Sequence, residues 1–349
     1  MTTTLGRAPA ARGSRGPRRG AAIRIFGLVV ALAALVAATM AGFAVGAKNI
    51  PLSTVWDALF HYHGTDDEQI VRGLRIPRTL IGVMAGAGLG GAGALMQAIT
   101  RNPLADPGVL GINSGASAAV VAAMGLAGLT APIEYVWFAL AGAALAALAV
   151  HLLGSAGRRA DPVRLALAGT ALTAVLTAFI QAMVLLRPDV FDRYRFWEIG
   201  SLAGRGANVL YPLLPFTVVG LLLALGLGRQ LNAVALGEET GRALGIRLGR
   251  TRALAAIAIT LLCGTATAAA GPIWFVGLAV PHIARLITGP DQRWLLPYSI
   301  VLAPVLLLVA DVLGRVVVRP GELQVGLVAV IIGAPVFIAL VRQRRIVQA

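Results

Sequence analysis

The residues of this chain that could do chemistry are few and widely spaced. His61 and His63 could share a metal ion from one extended segment, but two imidazoles leave a coordination sphere incomplete, so the pair reads as solvated. Inside the apolar stretches the titratable residues are Asp311, His282, Arg285 and His151. A charge kept within a bilayer costs about 2.5–3.5 kcal/mol on insertion scales and often marks an ion route. No relay links these four, and Asp311, the main candidate, lies near the outer end of its run. Gly86, Gly88 and Gly91 match GxGxxG, but within a hydrophobic run rather than between a strand and a helix, the context that dinucleotide binding needs. A Walker A loop needs lysine before Ser or Thr to reach the β- and γ-phosphates. The only lysine is Lys48, followed by Asn49. No clustered acid–base, nucleophilic or metal constellation appears, so the chain is expected to be no enzyme and to need neither cofactor nor metal. The lone Cys263 excludes an internal disulfide and reads as a buried, inert thiol.

What positions these residues is a bilayer. The chain is 58% hydrophobic and 13% charged, with a mean hydropathy of +0.81, against the roughly 25% charged residues of a soluble domain. Apolar runs follow one another near residues 25–46, 77–98, 108–126, 133–153, 162–186, 207–227, 252–270, 274–288, 294–314 and 325–341. The expected fold is all-α and polytopic, with about ten transmembrane helices over 25–341, a basic tail at 1–24 and a short tail at 342–349. The segment 47–74 is too polar to span, and 53–60 reads as an interfacial helix carrying Trp56 and Phe60. The segment 187–206 reads as an outer lip anchored by Phe191, Tyr194, Phe196 and Trp197.

Charge sets the orientation. With both termini in the cytoplasm, the inner loops hold Arg101, Arg158, Arg159, Arg164, Arg229, Arg242, Arg247, Arg250, Arg252, Arg285 and Arg293, and most acids fall outside. That asymmetry follows the positive-inside rule. The net charge of +15 is spread over short loops and the N-terminal tail, which speaks against a nucleic-acid partner.

Four segments carry more than hydropathy. Residues 75–117 join a Gly/Ala-rich run to the hinge RNPLADP (101–107). The loop 227–251 holds GEETGRALGI (237–246). The others are GPIWFVGLAVPHIARLITGPDQRWLLP (271–297) and ADVLGRVVVRPGELQVGLVAVIIGAPVFI (310–338). Together they resemble the iron-siderophore and vitamin B12 permease family of ABC importers. VGAKNIP (45–51), RPDVFDRYRFWEIGSL (187–202) and LCGTATAAAGPIWFVGL (262–278) are most similar to its ferric enterobactin permease branch.

The resemblance implies a permease subunit in a bacterial cytoplasmic membrane, built from inverted repeats over spans two to five and seven to ten. Its expected partners are a cytoplasmic ATPase dimer, a second permease subunit, with a heterodimer favoured over a homodimer, and an extracytoplasmic siderophore-binding protein or lipoprotein, with a ferric siderophore as cargo. It implies ATPase coupling through Gly237, Glu238, Glu239, Gly241, Leu244 and Gly245, in and just after the short helix that the residues themselves predict over 233–243. It places a cytoplasmic gate at Asn102 and Leu104 and at Asp161, Pro162 and Val163. It assigns binding-protein docking to Arg75, Arg78 and Arg315, outer arginines that run against the charge bias. A vitamin B12 or haem permease is the alternative inside the family. An ion-coupled secondary transporter is the competitor outside it, disfavoured by the scarcity of membrane carboxylates.

Overall fold

The computed structural model describes residues 17–46, 48–155 and 162–343. In hydrocarbon a backbone has no water to bond, so each apolar run must satisfy its own N–H and C=O groups, and it does so as a helix. In chain order these are α1 (Pro17–Ala44), α2 (Leu52–Phe60), α3 (Asp66–Ile70), a π-helical turn (Val71–Arg75) that continues into α4 (Ile76–Thr100), α5 (Ile112–Leu126), α6 (Pro132–Ser155), α7 (Pro162–Leu186), α8 (Pro188–Glu198), α9 (Ala207–Gly226), α10 (Gly228–Ala235), α11 (Glu238–Ala243), α12 (Leu248–Ala270), α13 (Val276–Thr288), α14 (Gln292–Val317) and α15 (Val325–Gln343). Among the described residues, seven helices are long and apolar enough to cross a membrane, and α5, α13 and α15 are shorter apolar helices. These ten follow the ten expected spans in order.

The end of the bundle at which α1 begins is called here the terminal end. The other is the distal end. The interfacial helix expected at 53–60 is α2, with Trp56 and Phe60 exposed and their rings 4.4 Å apart. The distal lip is more internal than the sequence suggests. Of its four aromatics, Phe191 and Phe196 are exposed, but Tyr194 and Trp197 turn inward and are buried.

The bundle is organised around α4, which packs against α14, α12, α13 and α9. Lipid tails are as apolar as leucine, so helices associate here through close van der Waals packing rather than through a hydrophobic drive. The glycines of α4 supply that approach. A Cβ at Gly86 would sit 2.5 Å from the Cα of Pro304, one at Gly90 would overlap the Ser299 carbonyl of α14, and one at Gly93 would overlap the Gly277 carbonyl of α13. The GxGxxG match is thus a packing surface. Helices α1 and α7 lie at the periphery, with only 11% of their apolar windows buried.

Candidate translocation and coupling site

Three arginines sit at the distal end, and their geometry differs from three guanidiniums offered to a docking partner. Arg75 and Arg315 are buried, at 7% and 4% exposure. Arg75 donates to the carbonyls of Phe43 (2.9 Å), Ala44 (2.6 Å) and Lys48, and Arg315 donates to those of Gly42 (3.1 Å) and Val45 (2.9 Å). The last carbonyls of a helix lack intrahelical donors and carry the negative end of its dipole, so two cations at the C-terminus of α1 satisfy both needs. Asp311 is fully buried, accepting from Arg315 Nη2 at 2.7 Å and from Arg78 Nη2 at 2.8 Å. Arg78 alone reaches outward, pairing with the partly exposed Glu322 at 2.8 Å. Asp311 therefore closes an internal ion network joining α1, α4 and α14.

The hinge after α4 is built by local side-chain turns. Arg101 ends the helix at φ 51°, in the left-handed region. Asn102 Oδ1 accepts from the N–H of Leu104 at 2.9 Å, and Asp106 Oδ1 accepts from the N–H of Gly108 at 2.7 Å, opening a 3-10 turn over Pro107–Leu110. Asn and Asp favour such turns because a short side chain mimics a backbone acceptor. Leu104 is 48% exposed. On one side the hinge borders a cavity of about 1520 Å³ between α4, α6, α7 and α12. On the other, Asp106 lines a cleft of about 470 Å³ with Thr170, Thr173 and Trp274. Asp161 lies outside the described residues, and Pro162 and Val163 open α7.

The loop between α9 and α12 is two helices rather than the single one expected over 233–243. Gly237, at φ +105°, breaks the chain between α10 and α11. Its positive φ is costly for any residue with a Cβ. Helix α11 ends in a Schellman motif: Ile246 N–H donates to Gly241 C=O at 3.0 Å and Gly245 N–H to Arg242 C=O at 2.9 Å, with Gly245 at φ +79°. Leu236 and Leu244 stand exposed on either side of α11 at 65% and 60%, and Glu239 is also exposed.

Sequence reasoning missed the polar contacts that hold these parts. Asn232 of α10 donates to Asp291 Oδ1 at 2.7 Å and accepts from Gln292 N–H at 2.8 Å, tying the loop to the start of α14. Near the distal lip, Glu198 accepts from Ser117 at 2.8 Å and from Tyr194, linking α8 to α5. Partners separated by 59 and 81 residues leave no signal in one sequence. The Asp291 carboxyl is held far below the ordinary carboxylate range, first by hydrogen bonds from Arg293, with Asn232 adding to them against partial burial. A depressed carboxylate contributes stability above its unfolded pKa and loses it as pH falls through the folded value. The α10–α14 tie is therefore expected to hold from neutral pH to below about pH 4 and to release only in stronger acid. Asp291→Asn should lower the hydrogen-exchange protection factors over 228–235 at pH 7 to values the wild type shows only in strong acid. Unchanged exchange would remove Asp291 from this role.

A bundle of ten apolar helices packed through the glycines of its central helix is the architecture of a multi-pass membrane protein. Residues 34–343 match the FecCD transport family, and the chain belongs to that family. It is 48% identical to the ferric enterobactin transport system permease protein FepD of Escherichia coli (strain K12) over 325 residues, covering 93% of this chain and 96% of that one. It is 39% identical to the Fe(3+)-citrate import system permease protein YfmD of Bacillus subtilis (strain 168), covering 94% and 98%. The fold also matches a metal-chelate type ABC transporter solved in an inward-facing conformation, with a TM-score of 0.81 and 24% identity over 94% of this chain and all of that one.

Proposed function

We propose that this chain is the permease subunit of a bacterial ABC importer that passes a ferric siderophore into the cytoplasm, driven by ATP hydrolysed on a separate subunit. The observation that carries this reading is the near full-length 48% identity to a ferric enterobactin permease, which favours a catecholate cargo over a hydroxamate. The terminal end faces the cytoplasm, where the arginine-rich loops lie. There α11 is the coupling helix, with Gly237 and Gly245 setting its ends and the exposed Leu236 and Leu244 seated against an ATPase. A second, different permease completes the pore, and an extracytoplasmic binding protein delivers cargo at the distal end. With Arg75 and Arg315 spent on α1, Arg78, paired with Glu322, is the one of these three arginines left to meet that protein. Such a pair sets register and encounter rate more than affinity.

Cells lacking their own siderophore permeases, supplied with this chain and its partner subunits, are expected to take up radioiron from ferric enterobactin faster than from a ferric hydroxamate or than labelled vitamin B12. Leu244→Asp should lower that uptake on the order of tenfold, equivalent to about 1.4 kcal/mol of docking, with the membrane content of the chain unchanged. Preferred uptake of vitamin B12 would overturn the cargo assignment, and full uptake by Leu244→Asp would overturn the docking surface.

The gate reading assigns Asn102 and Leu104 to one constriction and Asp161, Pro162 and Val163 to a second. It is supported by an exposed Leu104 on a hinge held by two side-chain turns. A cysteine at position 104 is expected to label with a membrane-impermeant maleimide at rates that differ between nucleotide-free and nucleotide-trapped complexes. Equal rates in both states would remove the hinge from the gate.

A further inference from the structure

The short connection between α12 and α13, residues 271–275, touches both the distal lip and the hinge. At the lip it is fastened backbone to backbone. Ser201 N–H donates to Ala270 C=O at 2.7 Å. A Cβ at Gly271 would lie 2.0 Å from the Trp197 carbonyl oxygen, and one at Gly200 would lie 2.6 Å from that of Pro272. Glycine is what lets two backbones approach so closely, and both of these glycines also have positive φ, at +78° and +81°.

At the hinge the contact is made by side chains. A Cβ at Gly108 would lie 3.3 Å from Cζ3 of Trp274, and one at Gly277 would lie 3.7 Å from Cδ of Pro107. The edge of the indole therefore rests on the hinge backbone, beside the turn that Asp106 makes with the N–H of Gly108. The next residue, Phe275, adopts φ 68°, a left-handed conformation that is costly for a residue with a Cβ. Two neighbours hold it there. Its C=O accepts from Ala279 N–H at 2.7 Å as α13 opens, and Gly333 of α15 leaves room for its Cβ. Backbone strain persists only where the surroundings over-determine it. Here it fixes the turn that presents Trp274. Three residue steps, at most about 11 Å of chain, join Gly271 to Trp274 and leave little slack between lip and hinge.

We propose that Trp274 is a positioning residue of the gate: its indole holds Gly108, and residues 271–273 pass displacements of the distal lip to it. The proposal rests on the reading of the hinge as a gate and of the distal end as the side where the binding protein arrives. It does not depend on which chelate is carried. A second tie leaves the lip by another route, the hydrogen bond from Ser117 of α5 to Glu198. The two routes can be separated by substitution.

The test uses the whole importer complex in nanodiscs, with hydrogen exchange read by mass spectrometry before and after addition of the binding protein loaded with ferric enterobactin. In the wild type, docking should change exchange at 197–201 and, by about fivefold or more, at 105–111, the lower end of ordinary coupling between two sites. Trp274→Ala should keep the response at 197–201 and lose the response at 105–111. A side chain that served packing alone would lower stability without separating the two. Trp274→Leu, which keeps apolar bulk but ends short of Gly108, decides if the alanine variant does not accumulate. Ser117→Ala should leave both responses in place. A wild type in which docking leaves 105–111 unchanged, an undiminished hinge response in the Trp274 variants, or a hinge response lost in Ser117→Ala would each overturn the proposal. The gate reading is decided separately by labelling at position 104, and the transport reading by uptake.

Discussion

Gly93→Val is expected to deplete the folded permease from the membrane. Gly93 is where α4 crosses α13, and a side chain there would run into the Gly277 carbonyl, a backbone group that cannot rotate away. Overpacking in a core commonly costs about 1–3 kcal/mol when neighbours can shift. Here the neighbour is a helix backbone, and α4 is also locked to α14 through Gly86 and Gly90. Relief at one crossing would open the others, and close packing is the main force holding helices together in lipid. Fluorescence-detected size exclusion should show a several-fold or greater loss of monodisperse protein, the usual consequence of losing a kcal/mol or two in a cell. Gly226→Ala serves as the control, because a Cβ there meets nothing within 4 Å. Equal amounts of the two variants would refute the crossing as a folding determinant.

Asp311→Leu is the second large effect. The carboxylate is fully buried and holds Arg315 and Arg78 at 2.7 and 2.8 Å. Removing one partner of a buried ion pair commonly costs about 3–5 kcal/mol, because the other charge stays behind without compensation. Arg78 would keep Glu322, and Arg315 would keep only backbone carbonyls, those of Gly42, Val45 and residue 311, with no counter-charge. The detergent-solubilised variant should therefore unfold at a clearly lower temperature, with Asp311→Asn intermediate because an amide still offers one acceptor. A wild-type transition in Asp311→Leu would show that the network is dispensable.

Hydropathy made the ten spans legible because a bilayer leaves the backbone one solution per run. It could not show where the outer arginines point. Their position against the charge bias was a real signal that something negative lies near them, but the acceptors are the end carbonyls of α1 and Asp311, and carbonyls leave no trace in residue types. The loop 227–251 was legible as a long polar connection between two spans through its charges and its glycines. Its division into α10 and α11 was not, since Gly237 reads equally as a cap or as an interior residue until its φ is known. Asp311 read as a possible ion carrier for the same reason: a membrane carboxylate shows its charge in the sequence but hides its neighbours.

The way α1 is fastened also sets an order of assembly. The ribosome delivers α1 first, but little of its apolar surface is covered by protein, so it can rest in lipid alone. Arg75, about thirty residues later, catches the distal end of α1 almost as soon as α4 inserts. The other end is held by the Tyr298 hydroxyl, which donates to the Arg24 carbonyl at 2.6 Å across 274 residues of sequence. At about 5–20 residues per second, that partner arrives roughly 14–55 s later. Until then the hydrogen bonds that Arg75 gives hold α1 at its distal end alone.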